Sequence, residues 1–160
     1  MADRFTTSYE IGGGIREKDI SALVDAALTD GFSLDYGSEN SPEELEKNLR
    51  ECVRQKMPFV ISALEIAWGQ TEALDEFCRE KKLHYLKRVE GKYEYNGALH
   101  WWKPGMKSEQ EWTETDKDAT RVMVSLDRLK SYQKALKPFK AVIRDLNKIA
   151  PTPPPIHIKG

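Results

Sequence analysis

Five residues of this sequence have side chains that commonly ligate transition metals: His84, His100, His157, Cys52 and Cys78. Structural zinc sites place their ligands in short pairs such as C-x₂-C or H-x₃-H. No two of the five residues have such a spacing, so the sequence predicts no metal site. It also contains no motif for another cofactor, and two cysteines do not make a disulfide framework.

A run of glycines could bind phosphate. Ile11-Gly12-Gly13-Gly14-Ile15 joins a predicted strand to a predicted helix, and helix N-termini attract anions. However, no Gly-Lys-Ser/Thr follows, and the spacing is not G-x-G-x-x-G. The pattern therefore favours a tight exit from the strand over a nucleotide site.

Catalytic motifs are not recognisable. The sequence has no G-x-S-x-G, and neither cysteine lies in a known catalytic context. Four glutamates crowd the start of a predicted helix, where they complement the helix dipole and are interpreted as solvated charge: Glu39, Glu43, Glu44 and Glu46. A small enzyme whose site is built from scattered residues, such as His100 with nearby carboxylates, remains an alternative.

A predicted hairpin offers the first candidate binding surface. Asn96-Gly97 is the preferred pair for a two-residue type I′ turn. In that register, one face of the hairpin collects four side chains: Tyr93, Tyr95, His100 and Trp102. Buried, this face would be ordinary core. Exposed, it would anchor a protein partner or stack on unpaired bases.

The C-terminal segment offers the second surface. Residues 127–160 contain eight basic and two acidic residues, so the rest of the chain carries a net charge of −7. Five of the basic residues follow one line on a predicted helix: Lys130, Lys134, Lys137, Arg144 and Lys148. This basic flank is either solvated and partly paired with the acidic segment 30–51 or binds an acidic partner, which would be a protein surface or a phosphate backbone.

Hydrophobic periodicity predicts the elements that position these residues. Strands are expected at 4–11, 32–36, 59–68, 85–89 and 121–125, with helices at 16–30, 41–56 and 71–82. Ser41, Pro42 and Glu44 match a capping box at the start of the second helix. Residues 59–68 are apolar on both alternating faces, which is typical of a central strand.

A longer helix is predicted over residues 127–150. Its apolar residues recur at spacings of three and four: Leu129, Tyr132, Leu136, Phe139, Ile143, Leu146 and Ala150. The stripe keeps its phase through Pro138, so the pattern indicates one kinked helix rather than two. We expect the stripe to be buried mainly within the chain, with its last turns and the proline tail nearest a partner.

These elements predict an α+β fold. The expected architecture is a mixed sheet with a ferredoxin-like split β-α-β pattern, an inserted helix, an added β-hairpin and a long C-terminal helix. Residues 1–150 would form a single domain, and residues 151–160 would form a proline-rich tail. The pattern resembles this architecture and no particular family.

The composition of the chain excludes some classes of protein. The chain of 160 residues has no apolar run of the roughly 20 residues that a membrane span needs, and its N-terminus is unlike a signal peptide, so we expect a cytoplasmic protein without membrane contact. The leading hypothesis is a non-catalytic binding protein that uses the aromatic hairpin and the basic-flanked helix, either on a protein partner or in a homodimer. The alternatives are a nucleic-acid-associated protein, which a pI near 6.3 disfavours, and the small enzyme.

Overall fold

A computed structural model describes residues 4–35, 40–67, 71–92 and 96–160. Within these residues the chain is α+β, with six strands in one sheet and five α-helices. The strands are β1 (Arg4–Arg16), β2 (Phe59–Ala67), β3 (His84–Val89), β4 (Ala98–Trp102), β5 (Gln110–Trp112) and β6 (Ile156–Lys159). The order is β2-β1-β3-β4-β5 with antiparallel neighbours, and β6 pairs in parallel with the end of β1. The sheet is therefore mixed.

Three helices cover one face of this sheet: α1 (Ile20–Thr29), α2 (Pro42–Gln55) and α3 (Glu72–Lys81). Their apolar faces meet alternate residues of β1, among them Tyr9 and Ile11, in one buried core. Helices α1 and α3 pack on the same face and against each other, as a split β-α-β pattern implies. The Asp30 carboxylate after α1 also accepts the backbone N–H of Leu74, at 2.8 Å, near the start of α3.

The capping box of α2 is confirmed as predicted. The Ser41 side chain accepts the backbone N–H of Glu44, and the Glu44 carboxylate accepts the backbone N–H of Ser41 at 2.9 Å. Pro42 occupies the first turn, where its missing N–H needs no partner. This local signal was sufficient because all of its atoms lie within four residues of sequence.

The predicted central position of residues 59–68 is wrong. In the described chain, β2 is the edge strand, and its outer side meets only a single bridge between Ser62 and Ser33. The helices cover only one face of β2, and on its other face Val60 and Leu64 are exposed. The inner neighbour of β2 is β1, which lies antiparallel between β2 and β3. Because β2, α3 and β3 then form a split β-α-β unit around β1, the split pattern is present, whereas the ferredoxin-like assignment stays a prediction.

The glycine run does not end β1, contrary to expectation. Gly13 has a φ of +106°, and β1 continues to Arg16. Up to Gly12 its neighbours are β2 and β3, and from Gly13 onward its neighbour is β6. A Cβ at Gly12 would overlap the Pro154 carbonyl oxygen. The glycines therefore make room for the C-terminal segment, and residues 156–159 of the predicted tail belong to the sheet.

The predicted hairpin register is also wrong. His100 pairs with Lys87 on one side and with Glu111 on the other, so β4 lies between β3 and β5. Residues 93–95 of the predicted hairpin lie outside the described residues. Gly97 is buried without a positive φ, and a Cβ there would lie 2.8 Å from the Ala119 Cβ. A type I′ turn needs a positive φ at both central residues, so Asn96-Gly97 is not such a turn. The close contact with Ala119 explains why this position is a glycine.

Two further predicted strands, 32–36 and 121–125, are reduced to isolated bridges in the described residues. Ser33 bridges Ser62, and Val122 bridges Thr115.

The long C-terminal helix is divided into two, which corrects the prediction of one kinked helix. Helix α4 spans Leu126–Lys134 and α5 spans Phe139–Leu146. Leu136 closes α4 in the left-handed conformation, with a φ of 52°, and the N–H of Lys137 returns to the Tyr132 carbonyl at 3.2 Å. These bonds form a Schellman motif, and Pro138 follows it as proline commonly does after such an ending. The apolar residues therefore lie on two separate helices, and the continuous stripe exists only as a pattern in the sequence.

Candidate interaction surface

The predicted aromatic face does not form an exposed platform in the described residues. Trp102 is only 7% exposed, stacks on Tyr85 with ring centroids 6.4 Å apart, and donates its indole N–H to the Met106 carbonyl at 3.0 Å. It is a core residue and cannot present its ring to a partner. Tyr93 and Tyr95 lie outside the described residues.

His100 belongs to a part-buried cluster of charged side chains. Its Nδ1 lies 3.2 Å from Glu109 Oε1, and its strand neighbour is Lys87. The Lys87 ammonium, with a side chain only 5% exposed, donates to Asp75 Oδ2 at 3.1 Å and to Thr71 Oγ1 at 3.0 Å. The strand register therefore brings His100 close to charged side chains that lie far apart in the sequence, between residues 75 and 109.

Two tyrosines complete this cluster. Tyr9 donates its hydroxyl proton to Asp75 Oδ1 at 2.6 Å, and Tyr85 donates to Glu109 Oε2 at 2.7 Å. Burial opposes ionisation of Glu109, but the hydrogen bonds from His100 and Tyr85 and the charge of Lys87 prevail and lower its pKa to about 2. Burial raises the pKa of both tyrosines.

What this cluster can do chemically follows from its partners. The Lys87 amine donates to Asp75 and Thr71 and lies 3.5 Å from Glu109, so it is engaged by three neighbouring side chains. The tyrosine hydroxyls are held neutral as donors. The arrangement ties α3 and the segment before β5 to the centre of the sheet, as paired buried charges commonly do.

The basic flank is distributed over the divided helix. Lys130 and Lys134 lie on α4, Lys137 lies in the connection, Arg144 lies on α5, and Lys148 follows it. Asp145 binds Lys137 at 3.0 Å and lies 3.8 Å from Lys148, while Lys130 lies 3.9 Å from Asp127. Among the described residues, no carboxylate comes within 4 Å of Lys134 or Arg144. The expected single line of cations is thus broken into paired and unpaired members.

The apolar stripe is largely exposed, which overturns the expectation that it is buried within the chain. Five large apolar residues of α4, α5 and their connection are exposed: Leu126, Leu129, Leu136, Phe139 and Ile143. Leu136 is 89% exposed and Phe139 is 78% exposed, although both are large apolar side chains. We call these five residues, together with Lys134 and Arg144, the α4–α5 surface.

The two ends of this helical pair contact the rest of the chain. Arg128 forms an ion pair with Glu114 at 2.9 Å and lies 4.3 Å above the ring of Trp112. Beyond α5, Ile149 and Ala150 pack on the second apolar cluster of the sheet, and Val142 is buried. The exposed side chains therefore project from an anchored element.

Leu136 and Phe139 were not predicted as binding residues. Their periodicity placed both in a buried stripe, because periodicity reports which residues share a face and not what covers that face. A usable signal was present, since a proline one or two residues past a possible helix end favours termination there.

Comparison of the chain with known protein families, with curated proteins and with solved structures finds no match. In the part of the chain that the structure describes, no helix is long and apolar enough to cross a membrane, and no three His, Cys, Asp or Glu side chains form a group that could hold a metal ion.

Proposed function

We propose that this protein is a binding module whose α4–α5 surface docks on an acidic protein partner. The observation that carries the proposal is the exposure of Leu136 and Phe139 on a segment that also carries Lys134 and Arg144, which have no carboxylate within 4 Å in the described residues. Large exposed apolar patches with a polar rim mark interaction sites. Leucine and phenylalanine side chains can fill an apolar pocket, and Lys134 and Arg144 favour carboxylates around it.

Charge favours a different protein over a second copy. In a two-fold dimer, each residue of the patch faces the same patch of its partner. The α4–α5 surface would then oppose its own cations, whereas an acidic partner supplies the missing counter-charges. Nucleic acid is the less suitable partner because its interfaces are polar and the five apolar residues would gain little from phosphate.

A displayed library of random peptides, selected on the full chain, tests this proposal. We expect the enriched peptides to combine apolar residues with flanking Asp or Glu. One such peptide, labelled for fluorescence anisotropy, should bind the wild type in a salt-dependent manner. Leu136→Asn and Phe139→Ser should each weaken this binding by about tenfold or more.

Met57→Gln is the matched control, because Met57 is a 48%-exposed apolar residue outside this surface. Leu136→Asn preserves the fold, since asparagine tolerates the left-handed backbone. The proposal fails if the selected peptides lack acidic residues or bind Leu136→Asn as well as the wild type. It also fails if sedimentation shows a dimer that Phe139→Ser dissociates, or if single-stranded RNA displaces the peptide.

A further inference from the structure

A second feature lies away from the α4–α5 surface, where the end of β1 meets the end of α3 and β6. Here a cleft with a volume of about 400 Å³ is lined by cations from separate parts of the chain. Arg16 and Lys18 come from β1 and the turn after it, Lys81 and Lys82 from the end of α3, and Lys159 from β6. The fold thus gathers five cations that span most of the sequence.

Two carboxylates also line the cleft, but one lysine engages both of them. Lys81 lies 2.8 Å from Glu80 and 3.5 Å from Asp19. The other four cations have no carboxylate within 4 Å in the described chain: Arg16, Lys18, Lys82 and Lys159. Outside residues 127–160 the chain carries a net charge of −7, so acidic residues are abundant, yet in the described residues none lies within 4 Å of these four cations. Four uncompensated cations in one cleft repel one another and attract an anion.

The glycine run contributes to the shape of this cleft. Gly14 lines it, and a Cβ at Gly14 would overlap the aliphatic stem of Lys159. The absence of a side chain therefore lets Lys159 lie across the β1 backbone at the cleft. A parallel pairing of Gly14 with His157 and of Arg16 with Lys159 fixes the approach of β6.

We propose that this cleft binds the di- or triphosphate group of a small phosphorylated molecule. Four cations suit a ligand with several negative charges better than a single carboxylate. The volume lies within the range of roughly 300–1,000 Å³ that is usual for small-molecule sites. A long nucleic acid strand would need further cations beyond the cleft, whereas a short polyphosphate needs only the cleft itself.

Isothermal titration of the full chain with inorganic tripolyphosphate tests the site. We expect saturable, salt-sensitive binding that is tighter than for orthophosphate. Lys82→Gln and Lys159→Gln should each weaken the affinity by roughly threefold to tenfold. ATP should compete with tripolyphosphate, whereas a single-stranded oligonucleotide of equal phosphate concentration should compete poorly.

Lys107→Gln is the matched control, because Lys107 lines a different cleft together with Lys103 and Lys148. The proposal is overturned if the wild type does not bind tripolyphosphate, if Lys107→Gln weakens binding as much as Lys82→Gln does, or if the oligonucleotide competes best. Phe139→Ser should bind tripolyphosphate normally, so this test stands apart from the α4–α5 surface.

Discussion

The ammonium group of Lys87, on β3, lies 3.1 Å from the Asp75 carboxylate, on α3, although the Lys87 side chain is only 5% exposed. This contact joins the helical layer to the sheet at a point where neither charge is well hydrated. Asp75 also receives the hydroxyl proton of Tyr9, so one carboxylate connects β1, α3 and β3.

Lys87→Met should strongly destabilise the protein. The substitution keeps the aliphatic volume but leaves Asp75 and Glu109 without their shared cation. Breaking one partner of a buried pair costs about 3–5 kcal/mol, so we expect a loss of that size in the free energy of unfolding measured with urea. The exposed Lys134→Met serves as control, and a Lys87→Met midpoint equal to that of the control would disprove the structural role.

Acid should weaken this cluster through Glu109. Its pKa is lowered from 4.5 to about 2 in the folded protein, so its contribution to stability is present above pH 4.5 and is lost as the pH falls towards 2. Glu109→Gln should therefore lower the stability at neutral pH and flatten the acid slope in this interval. Urea midpoints measured across the interval test this, with the more exposed Glu111→Gln as control. An unchanged slope in Glu109→Gln would contradict the assignment.

Gly97→Ala should be destabilising because of a contact and not because of the backbone. The new Cβ would lie 2.8 Å from both the Cβ and the N atom of Ala119, and overpacking of this kind costs about 1–3 kcal/mol. Adding Ala119→Gly removes one of the two contacts and should restore part of the loss beyond its effect in the wild type. A double-mutant cycle by thermal denaturation measures this coupling, and strict additivity would indicate that the two residues do not touch.

Adjacent residues of α5 should respond oppositely to charge. Val142 is buried, so Val142→Asp places an unpaired charge in an apolar site and should lower the free energy of unfolding by about 2 kcal/mol or more. Ile143 is 40% exposed, so Ile143→Asp should change it by less than about 0.5 kcal/mol. Thermal unfolding of the two variants, followed by circular dichroism, measures the two changes in stability. Equal destabilisation would mean that the stripe is covered within the chain.

Features whose atoms are close along the chain could be predicted from the amino-acid sequence. The capping box of α2, the inward face of β1 and the positions of α1 and α3 follow from hydrogen bonds and side-chain periodicity within a few residues. Such signals need no knowledge of the rest of the fold, because backbone geometry alone fixes which neighbouring side chains share a face.

Which segment covers each face of a helix or strand could be seen only in the tertiary structure. Residues 59–67 have the two-sided apolar pattern of a central strand yet lie at the edge, and Trp102 is buried where an exposed ring was conceivable. The stripe that contains Leu136 is apolar in the sequence and largely exposed in the fold. Three cations line one cleft although more than 60 residues separate each from the next: Arg16, Lys82 and Lys159. Strand order and burial depend on contacts between distant segments, and local patterns carry no information about which distant segment arrives.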